Sequence, residues 1–511
     1  MTTARAALHT PDWVKHAVFY QIFPDRFARS PRTRHSRGMS FKAWGSPPKE
    51  QGFQGGDLHG IVDHMDYLRD LGVTALYLNP IFAAAANHRY HTYDYLQVDP
   101  ILGRDSALRE LLAEAHVHGL KVILDGVFNH ASRGFWPFHH VLENGEASPY
   151  VDWFIIRGWP LRAYSEPEGL ACNYDAWWNL PALPKLNVRN PGVRDYLLGV
   201  ARYWIEFGID GWRLDVPNEI DDDDFWRSFR DAVKGANSEA YICGEIWGDA
   251  QRWLHGDQFD GVMNYPLGRA LISFCGAQTL RREFHHDQFH LQPLDAAAFG
   301  RELERLLGLY DWEIAQAQLN LLDSHDLPRA LWLMGNDESA LRLCVLLQMT
   351  LPGAPCIYYG DEIGLSTPGD PYCRGAFPWQ HEETWNQDLL AYYRRAIALR
   401  HRLEVLRTGQ LRPVLAEGRL YAFRRTLGQS EAVVAVNADM RSVTAILHVP
   451  GLAGRSLIQA WPDKPVAQHQ VEDAHLAITV PARQGLVLVT APDRKGRKVA
   501  PKDPALGTPG G

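Results

Sequence analysis

Residues 211–216 have the sequence Gly-Trp-Arg-Leu-Asp-Val, a short apolar segment that carries Arg213 and Asp215 two positions apart. Side chains two residues apart in a β-strand point to the same side, so we expect these two to lie together. Three other segments are apolar runs that end in polar or acidic residues: 121–130 (KVILDGVFNH), 241–245 (YICGE) and 319–326 (LNLLDSHD). Polar residues at the carboxyl ends of buried parallel strands are typical of the active site of a (β/α)8 TIM barrel.

Strand and helix patterns alternate from about residue 15 to about residue 408. Apolar segments predict eight strands. Strands 1 and 2 lie at 18–23 and 73–78, and strands 3, 4 and 5 end at Asp125, Asp215 and Glu245. Strand 6 lies at 261–264, strand 7 ends near Asp323, and strand 8 lies at 356–359. Continuous apolar strands that alternate with helices indicate a parallel sheet covered by helices. Eight such strands predict a closed α/β barrel rather than an open sheet.

The predicted barrel carries two additions. The interval between Asp125 and Asp215 is far longer than one strand-helix unit needs, and its Trp-, Pro-, Tyr- and Gly-rich residues predict a small lobe inserted after strand 3. After Gly409, short alternating segments predict a C-terminal antiparallel β-sandwich. The predicted domains are a barrel of residues 1–130 and 186–409, an inserted lobe of residues 131–185, a sandwich of residues 410–492, and a disordered tail of residues 493–511.

Composition excludes several classes of protein. The 511 residues carry a formal net charge of −8, which argues against nucleic acid as a partner. The six cysteines form no Cys-x-x-Cys pair, so free thiols are expected rather than disulfides or a metal site. No stretch is long and apolar enough to span a membrane, and residues 1–12 contain no apolar core of signal-peptide length. A cytoplasmic protein without a membrane partner is therefore expected.

Asp215 and Glu245 end neighbouring predicted strands, and two carboxylates that face each other across a barrel mouth suit glycoside hydrolysis. One attacks the sugar carbon while the other protonates the leaving oxygen. Arg213 beside Asp215 favours the ionised carboxylate that a nucleophile needs. The apolar and aromatic neighbours of Glu245 favour the protonated carboxyl that a proton donor needs. Two solvated surface acids are the ordinary alternative, which the burial of both strands disfavours.

Four segments resemble, in order, the four signature regions of the α-amylase superfamily of glycoside hydrolases: 125–130 (DGVFNH), 211–215 (GWRLD), 244–247 (GEIW) and 322–326 (LDSHD). Residues 183–187 (LPKLN) resemble the inserted-lobe motif of the neopullulanase, cyclomaltodextrinase and maltogenic amylase branch. The oligo-1,6-glucosidase branch typically has an acid where Lys185 stands. The resemblance covers nearly the whole chain and implies the same barrel, lobe and sandwich.

The resemblance also implies a role for individual residues. Asp215 would be the nucleophile, Glu245 the general acid/base, and Asp326 the third catalytic carboxylate, whose grip on sugar hydroxyls would strengthen in the transition state. Other residues are implied to bind the substrate. Tyr90 would stack on the sugar that Asp326 binds, His130 and His325 would hydrogen-bond the same sugar, and Arg213 would orient Asp215. Trp247 would line the leaving-group side, and Asp370 and Arg374 would bind the next sugar. Ordinary packing is the alternative for Tyr90. Asp125 is expected to pair with Arg213.

The predicted function is a retaining α-glycosidase that hydrolyses α-1,4-glucosidic bonds of maltooligosaccharides, cyclodextrins and related α-glucans by double displacement. An α-glucosidase or a transglycosylase on the same scaffold stays open, as does, more remotely, a non-catalytic carbohydrate-binding homologue. The expected partner is an α-glucan oligosaccharide, and the oligomeric state is left open.

No cofactor is expected. Many α-amylases bind calcium through the asparagine that Asn129 resembles, but the favoured branch often lacks that site. The loop at 28–34 is basic and poor in the oxygen ligands that hard cations need. The acidic run 221–224 is expected to cap the following helix rather than to hold a metal. A structural calcium is therefore possible but not expected.

Overall fold

Eight parallel strands carry the polar residues described above. The computed structural model describes residues 8–49, 51–164, 172–462 and 468–490. Its first ten strands are β1 (Phe19–Ile22), β2 (Ala75–Leu78), β3 (Phe82–Ala84), β4 (Thr92–Val98), β5 (Lys121–Gly126), β6 (Gly211–Leu214), β7 (Tyr241–Gly244), β8 (Gly261–Val262), β9 (Leu319–Leu321) and β10 (Ala354–Tyr358). All but the β3–β4 hairpin join one parallel sheet in the order β8-β7-β6-β5-β2-β1-β10-β9. A parallel bridge between Met263 and Leu319 brings its two edges together, which confirms the predicted barrel.

The register of the strands brings their polar ends level with one another. Asp125 of β5 pairs with Arg213 of β6, and Arg213 pairs with Cys243 of β7. The strands are buried along almost their whole length, because the sheet closes on itself inside and helices cover it outside. Asp125, Arg213, Asp215 and Glu245 therefore meet at one end of the barrel.

Fifteen α-helices lie within the described residues. They are α1 (Asp12–His16), α2 (Pro24–Phe27), α3 (Leu58–Asp63), α4 (Met65–Leu71), α5 (Arg104–Val117), α6 (Trp136–Asn144), α7 (Pro191–Phe207), α8 (Asp223–Ala236), α9 (Tyr265–Cys275), α10 (Ala296–Gly308), α11 (Trp312–Ala315), α12 (Ala330–Leu333), α13 (Glu338–Thr350), α14 (Gln387–Arg402) and α15 (Glu404–Thr408). The cap expected in the run 221–224 is confirmed, because Asp222 accepts a hydrogen bond of 2.8 Å from the Phe225 N–H. No helix in the described ranges is long and apolar enough to cross a membrane.

The described residues of the inserted lobe follow β5 and precede α7, and the two ends of the lobe pair beside the barrel mouth. His130 and Lys185 form an antiparallel bridge. The Ala131 N–H donates to the Pro184 carbonyl, and the Leu186 N–H donates to the Asn129 carbonyl, each at 3.0 Å. The lobe is thereby fixed next to the end of β5. The predicted domain limits at 130/131 and 185/186 remain predictions.

Antiparallel sheets follow the barrel, as the sequence predicts. Their strands are β11 (Gln410–Glu417), β12 (Leu420–Leu427), β13 (Ser430–Asn437), β14 (Val443–His448), β15 (Ser456–Trp461), β16 (Gln468–Gln470), β17 (His475–Val480) and β18 (Gln484–Thr490). Six of them form the sheet β11-β12-β13-β18-β15-β16, and β14 pairs with β17. The predicted tail, 493–511, lies outside the described residues.

The strand β12 is buried on both faces. Leu420 and Ala422 pack in the core of the sandwich, whereas Tyr421 and Phe423 pack in the hydrophobic core of the barrel. The neighbouring β13 divides its side chains in the same way. The sandwich and the barrel therefore share apolar surface along these two strands.

Candidate active site

Arg213 lies at the centre of the polar residues at the barrel mouth. Its fully buried guanidinium contacts three carboxylates: Nη1 lies 2.8 Å from Asp125 Oδ1 and 3.1 Å from Asp215 Oδ1, and Nη2 lies 3.0 Å from Glu245 Oε2. Burial opposes the charge of Arg213, but Asp125 and Glu245 outweigh it and raise its pKa. The structure thus brings the two predicted catalytic acids onto one cation, which is also paired with Asp125 as expected.

Asp215 and Glu245 differ in their hydrogen-bond donors. Glu245 accepts the Val216 N–H at Oε2 and the Trp247 indole N–H at Oε1, each at 3.0 Å. Among the described residues, the carboxylate of Asp215 accepts only from Arg213. Val216 has φ 35° and ψ 51°, a left-handed conformation that is unusual for a β-branched residue. This turn directs the Val216 N–H to Glu245 immediately after the chain has placed Asp215.

The protonation of Asp215 depends on several neighbours. Burial raises the pKa of Asp215 well above its usual value, Glu245, Asp125 and Asp326 raise it further, and Arg213 lowers it. The direction therefore differs from the expectation that Arg213 keeps Asp215 ionised, because one cation is outweighed by burial and by three other acids. Acids this close titrate as a group, so the proton belongs to the cluster rather than to one carboxyl.

Asp326 joins the cluster to the open side of the mouth. Arg374 lies between two acids, with Nη2 3.4 Å from Asp326 Oδ1 and Nη1 2.9 Å from Asp370 Oδ1. Burial raises the pKa of Asp326 to about 7, Glu245 adds to the rise, and Arg374 and Arg213 oppose it. The Asp326 side chain is nevertheless 29% exposed, and that of Asp370 is 46% exposed. Both acids can therefore be reached by a ligand.

His130 has a ring nitrogen that could bind a ligand. The residue is buried, and Nε2 has no hydrogen-bond partner among the described residues. Burial lowers the pKa of His130 to about 3, so the ring is neutral at neutral pH. Trp177 of the lobe stacks on the imidazole at a centroid distance of 5.2 Å. Lys185, which pairs with His130 in the antiparallel bridge, donates to the Glu219 carbonyl at 2.7 Å. A buried polar atom without a partner suits a ligand hydroxyl group.

Tyr90 and His325 belong to one hydrogen-bonded network. The Tyr90 hydroxyl lies 2.7 Å from Asp125 Oδ2 and 2.6 Å from His325 Nε2, and the two rings are nearly parallel, 5.4 Å apart. His325 Nδ1 lies 3.0 Å from Gln21 Nε2 and 3.2 Å from Asn79 Nδ2. Burial lowers the pKa of His325 well below its usual value. Both residues are thus held rigidly beside the carboxylates.

Trp247 forms part of an aromatic wall. Its ring stacks on Tyr265 at 3.9 Å and on His286 at 4.6 Å, with interplanar angles of 8° and 16°. The hydrogen bond from its indole to Glu245 fixes that acid against the wall. The structure therefore places Trp247 beside the predicted acid/base.

Several residues of the site were not predicted. Gln21 and Tyr77 lie inside β1 and β2, Tyr265 begins α9, and the N–H of Val216 is a backbone group. A glutamine within the otherwise apolar β1 was a usable signal, and Asn79 directly follows β2, which is a strand-end position like that of Asp215. The backbone turn at Val216 leaves no such signal in the sequence.

Asn129 is the residue through which the resemblance implies calcium. Its Oδ1 is buried without a hydrogen-bond partner in the described part of the chain, and its Nδ2 lies 3.3 Å from His130 Nδ1. Within the described ranges, no group of three or more His, Cys, Asp or Glu residues could hold a metal ion. Calcium takes about 6–8 oxygen ligands, commonly from carboxylates. The described residues around Asn129 therefore do not fit a carboxylate-rich calcium site.

The chain is similar to several known proteins. Residues 21–388 match the family model described as alpha amylase, catalytic domain. The chain is 44% identical to neopullulanase 2 of Thermoactinomyces vulgaris, over 94% of this chain and 78% of the relative. It is 45% identical to a cyclomaltodextrinase of Geobacillus thermopakistaniensis, over 84% and 69%. The solved structure of the Nostoc punctiforme debranching enzyme in its native form matches with a TM-score of 0.86 and 48% identity, over 94% of this chain and 99% of that chain.

Replacement of Arg213 by methionine should make stability more sensitive to pH. Arg213 lowers the pKa values of Asp125, Asp215 and Asp326, which burial raises, so the variant should hold protons that the unfolded chain releases above about pH 4. A group whose folded pKa is raised loses stability as the pH rises towards that pKa. The deficit relative to the unmodified protein should therefore grow from about pH 5 to about pH 8, reaching about 3–5 kcal/mol. Unfolding followed by circular dichroism at each pH measures it.

Arg400→Met is the matched control. Arg400 is equally buried but donates to backbone carbonyls, at 3.1 Å to Met349 and 2.6 Å to Gly353. Burial lowers the pKa of Arg400 to about 9, above the range tested. Its loss should therefore lower stability by the same amount at every pH. A deficit for Arg213→Met that does not change with pH would contradict the electrostatic role.

Proposed function

We propose that this chain, which belongs to the alpha-amylase family of glycoside hydrolases, cleaves α-1,4-glucosidic bonds of maltooligosaccharides, cyclodextrins and related α-glucans. The observation that carries the proposal is the contact of Asp215 and Glu245 with the same guanidinium at the carboxyl end of the barrel. Two carboxyl groups beside one guanidinium can serve as the nucleophile and the proton donor that a double displacement needs. The names of the relatives, neopullulanase and cyclomaltodextrinase, support the substrate class.

The proposed reaction has two displacements. Asp215 attacks the anomeric carbon while Glu245 protonates the glycosidic oxygen, so the bond to the leaving sugar breaks and a glycosyl-enzyme forms. Glu245, now ionised, removes a proton from water, which attacks the same carbon and releases Asp215. Each displacement inverts the anomeric centre, so the product keeps the α configuration.

The cluster supplies the proton that the first step needs. Burial and neighbouring acids raise the pKa values of Asp215 and Asp326, so these acids keep a proton to a higher pH than ordinary carboxyl groups do. We propose that the bound sugar leaves that proton on Glu245, where it faces the leaving oxygen, and leaves Asp215 ionised beside Arg213. Arg213 then stabilises the nucleophile in the first step and the released carboxylate in the second.

The remaining residues are proposed to hold the sugars. His130, whose Nε2 has no hydrogen-bond partner in the described part of the chain, and Asp326 would bind hydroxyl groups of the sugar that is attacked. Asp370 and Arg374 would bind the next sugar, and the stacked ring of Trp247 would line the leaving-group side. Tyr90 keeps its proposed role as a platform for the attacked sugar, with its hydroxyl fixed by Asp125.

A second candidate is cleavage at branch points. The solved structure at 48% identity, of which 99% is covered, is named a debranching enzyme. Both candidates use the same two carboxylates and differ in which linkage the mouth admits. An α-glucosidase or transglycosylase activity also remains open, because it depends on how the mouth is closed and on whether a sugar outcompetes water.

Catalysis is proposed to need no cofactor, because Arg213 and the carboxylates supply the charges that the two displacements require. An α-glucan oligosaccharide is the proposed partner. Location in the cytoplasm stays a prediction of the sequence.

Two matched variants separate the roles of the acids. Asp215→Asn should lower turnover of every substrate by about 10⁴-fold or more, because the nucleophile is lost. Glu245→Gln should lose turnover of maltotriose to a similar degree but keep far more activity on an aryl α-glucoside, whose leaving group needs no proton. Initial rates on both substrates measure this, and calorimetric binding of maltotriose by both variants checks that the site is intact. Equal losses of both variants on the aryl substrate would contradict the assignment.

The products identify the substrate. Chromatography of time courses on maltotriose, a cyclodextrin and pullulan should show cleavage of α-1,4 bonds and ring opening of the cyclodextrin. A branched dextrin that loses only its branches would favour the debranching alternative. Proton NMR of the first product should show the α-anomer, and initial formation of the β-anomer would exclude a retaining mechanism.

Removal of metals should leave the activity unchanged. The described residues near Asn129 do not fit a carboxylate-rich calcium site. Activity is measured after dialysis against a chelator and again after addition of calcium, with magnesium as the control cation. Loss of activity that only calcium restores would overturn the proposal.

A further inference from the structure

A continuous hydrogen-bonded network runs from the buried cation to His325. Arg213 Nη1 lies 2.8 Å from Asp125 Oδ1, and Asp125 Oδ2 lies 2.7 Å from the Tyr90 hydroxyl and 2.9 Å from the Tyr77 hydroxyl. The Tyr90 hydroxyl lies 2.6 Å from His325 Nε2. The network has a direction, because its first member can only donate.

The direction can be followed from Arg213 outwards. Asp125 receives Arg213 on one oxygen and two tyrosine hydroxyls on the other, so it acts as an acceptor throughout. Burial raises the pKa of Asp125, but the paired guanidinium and these donors oppose the rise. Tyr90 therefore uses its single hydroxyl proton on Asp125. Its oxygen can then only accept from His325, so Nε2 of the imidazole must carry the proton.

The other face of His325 is consistent with this direction. Gln21 Nε2 lies 3.0 Å and Asn79 Nδ2 lies 3.2 Å from Nδ1. Amide nitrogens only donate, so Nδ1 must be the unprotonated acceptor. Asn79 Nδ2 also lies 3.0 Å from the Tyr90 oxygen, and Gln21 Nε2 donates to Asn79 Oδ1 at 3.1 Å.

The orientation of the two amides follows from their neighbours. Reversal of Gln21 alone would bring its oxygen against Asn79 Oδ1, at the 3.1 Å now spanned by a hydrogen bond. Reversal of both would turn Asn79 Oδ1 towards Asp125 Oδ2, at the 3.5 Å where the amide nitrogen now lies. Each reversal places two acceptors together. The present orientation leaves Gln21 Oε1 without a partner among the described residues, which costs less than a pair of opposed acceptors beside an ionised group.

We propose that Gln21 and Asn79 are positioning residues that fix His325 in the Nε2–H tautomer, so that the ring donates to Tyr90 and turns an N–H edge, rather than a lone pair, towards Asp326. His325 Nε2 lies 3.3 Å from Asp326 Oδ2. The opposite tautomer would present a lone pair to that carboxylate and would lose the bond to Tyr90. The inference rests on the proposed function and deepens it, because it specifies which edge of His325 lies beside Asp326 in the proposed sugar-binding site.

The basic groups around His325 favour a neutral ring. Tyr90 and Asp326 face Nε2, while Arg374, Arg213 and His88 lie close enough to lower the pKa of the ring after burial has done so. The ring is therefore neutral at neutral pH, and a neutral imidazole has two tautomers to choose between. The two amides decide which of them is present.

The tautomer can be measured directly. Long-range ¹H–¹⁵N spectra of protein labelled with ¹⁵N-histidine distinguish protonated from unprotonated ring nitrogens, and the signals of His325 are those missing from His325→Gln. The unmodified protein should show a protonated Nε2 and a bare Nδ1 for His325. Gln21→Glu places a carboxylate at Nδ1, so Nδ1 should gain a proton. A protonated Nδ1 in the unmodified protein, or an unchanged ring in Gln21→Glu, would overturn the proposal.

Gln348→Met is the matched control for a buried glutamine. Gln348 donates to the carbonyls of Asn320 and Cys356, at 2.8 and 3.0 Å, and has no contact with His325. Gln21→Met should lower kcat by about tenfold, the effect of about one hydrogen bond, with a smaller change in KM, whereas Gln348→Met should leave both the spectrum and kcat unchanged. If Gln21→Glu does not fold, the spectrum of the unmodified protein still decides the tautomer. That spectrum is recorded without turnover. It therefore tests the tautomer of His325 independently of whether the proposed substrate is correct.

Discussion

The contact of one buried guanidinium with three carboxylates is the interaction on which the barrel mouth depends. Arg213 neutralises only part of the charge of Asp125, Asp215 and Glu245. Buried charges are tolerated only when they are paired and hydrogen-bonded, and removal of one partner leaves the others uncompensated. The cluster therefore combines high local charge with a shortage of cations. Burial and that imbalance together raise the pKa values of Asp215 and Asp326.

The surrounding elements fix the direction of each acid. Asp125 is held by two tyrosines, Glu245 by a backbone N–H and an indole, and Asp326 by an arginine that also reaches Asp370. The lobe contributes through the paired ends at His130 and Lys185. Both the strands, through Tyr77 and Arg213, and the loops that follow them, through Tyr90 and Val216, supply hydrogen bonds to the acids.

The sequence was sufficient to predict the barrel, the lobe, the sandwich and the meeting of Asp215 and Glu245 at the barrel mouth, because buried strands that end in polar residues leave a regular pattern. It was less informative inside the strands. Gln21 and Tyr77 lie within runs of apolar residues, and the alternation of the strand does not show which of its two buried faces meets the acids. The net pKa of Asp215 was also beyond reach, since it depends on Asp326 and Glu245, which are distant in the sequence. The left-handed turn at Val216 is a property of the folded backbone and has no counterpart in residue type.

Because β12 and β13 are buried on both faces, the C-terminal sandwich packs against the barrel along these two strands. These strands form the middle layer of three, and each must match a different surface above and below it. A chimaera that exchanged the sandwich with that of a relative would have to preserve both sets of side chains at once. Residues on both faces of these strands must therefore change together with their partners during evolution, although the chain passes from the barrel to the sandwich once.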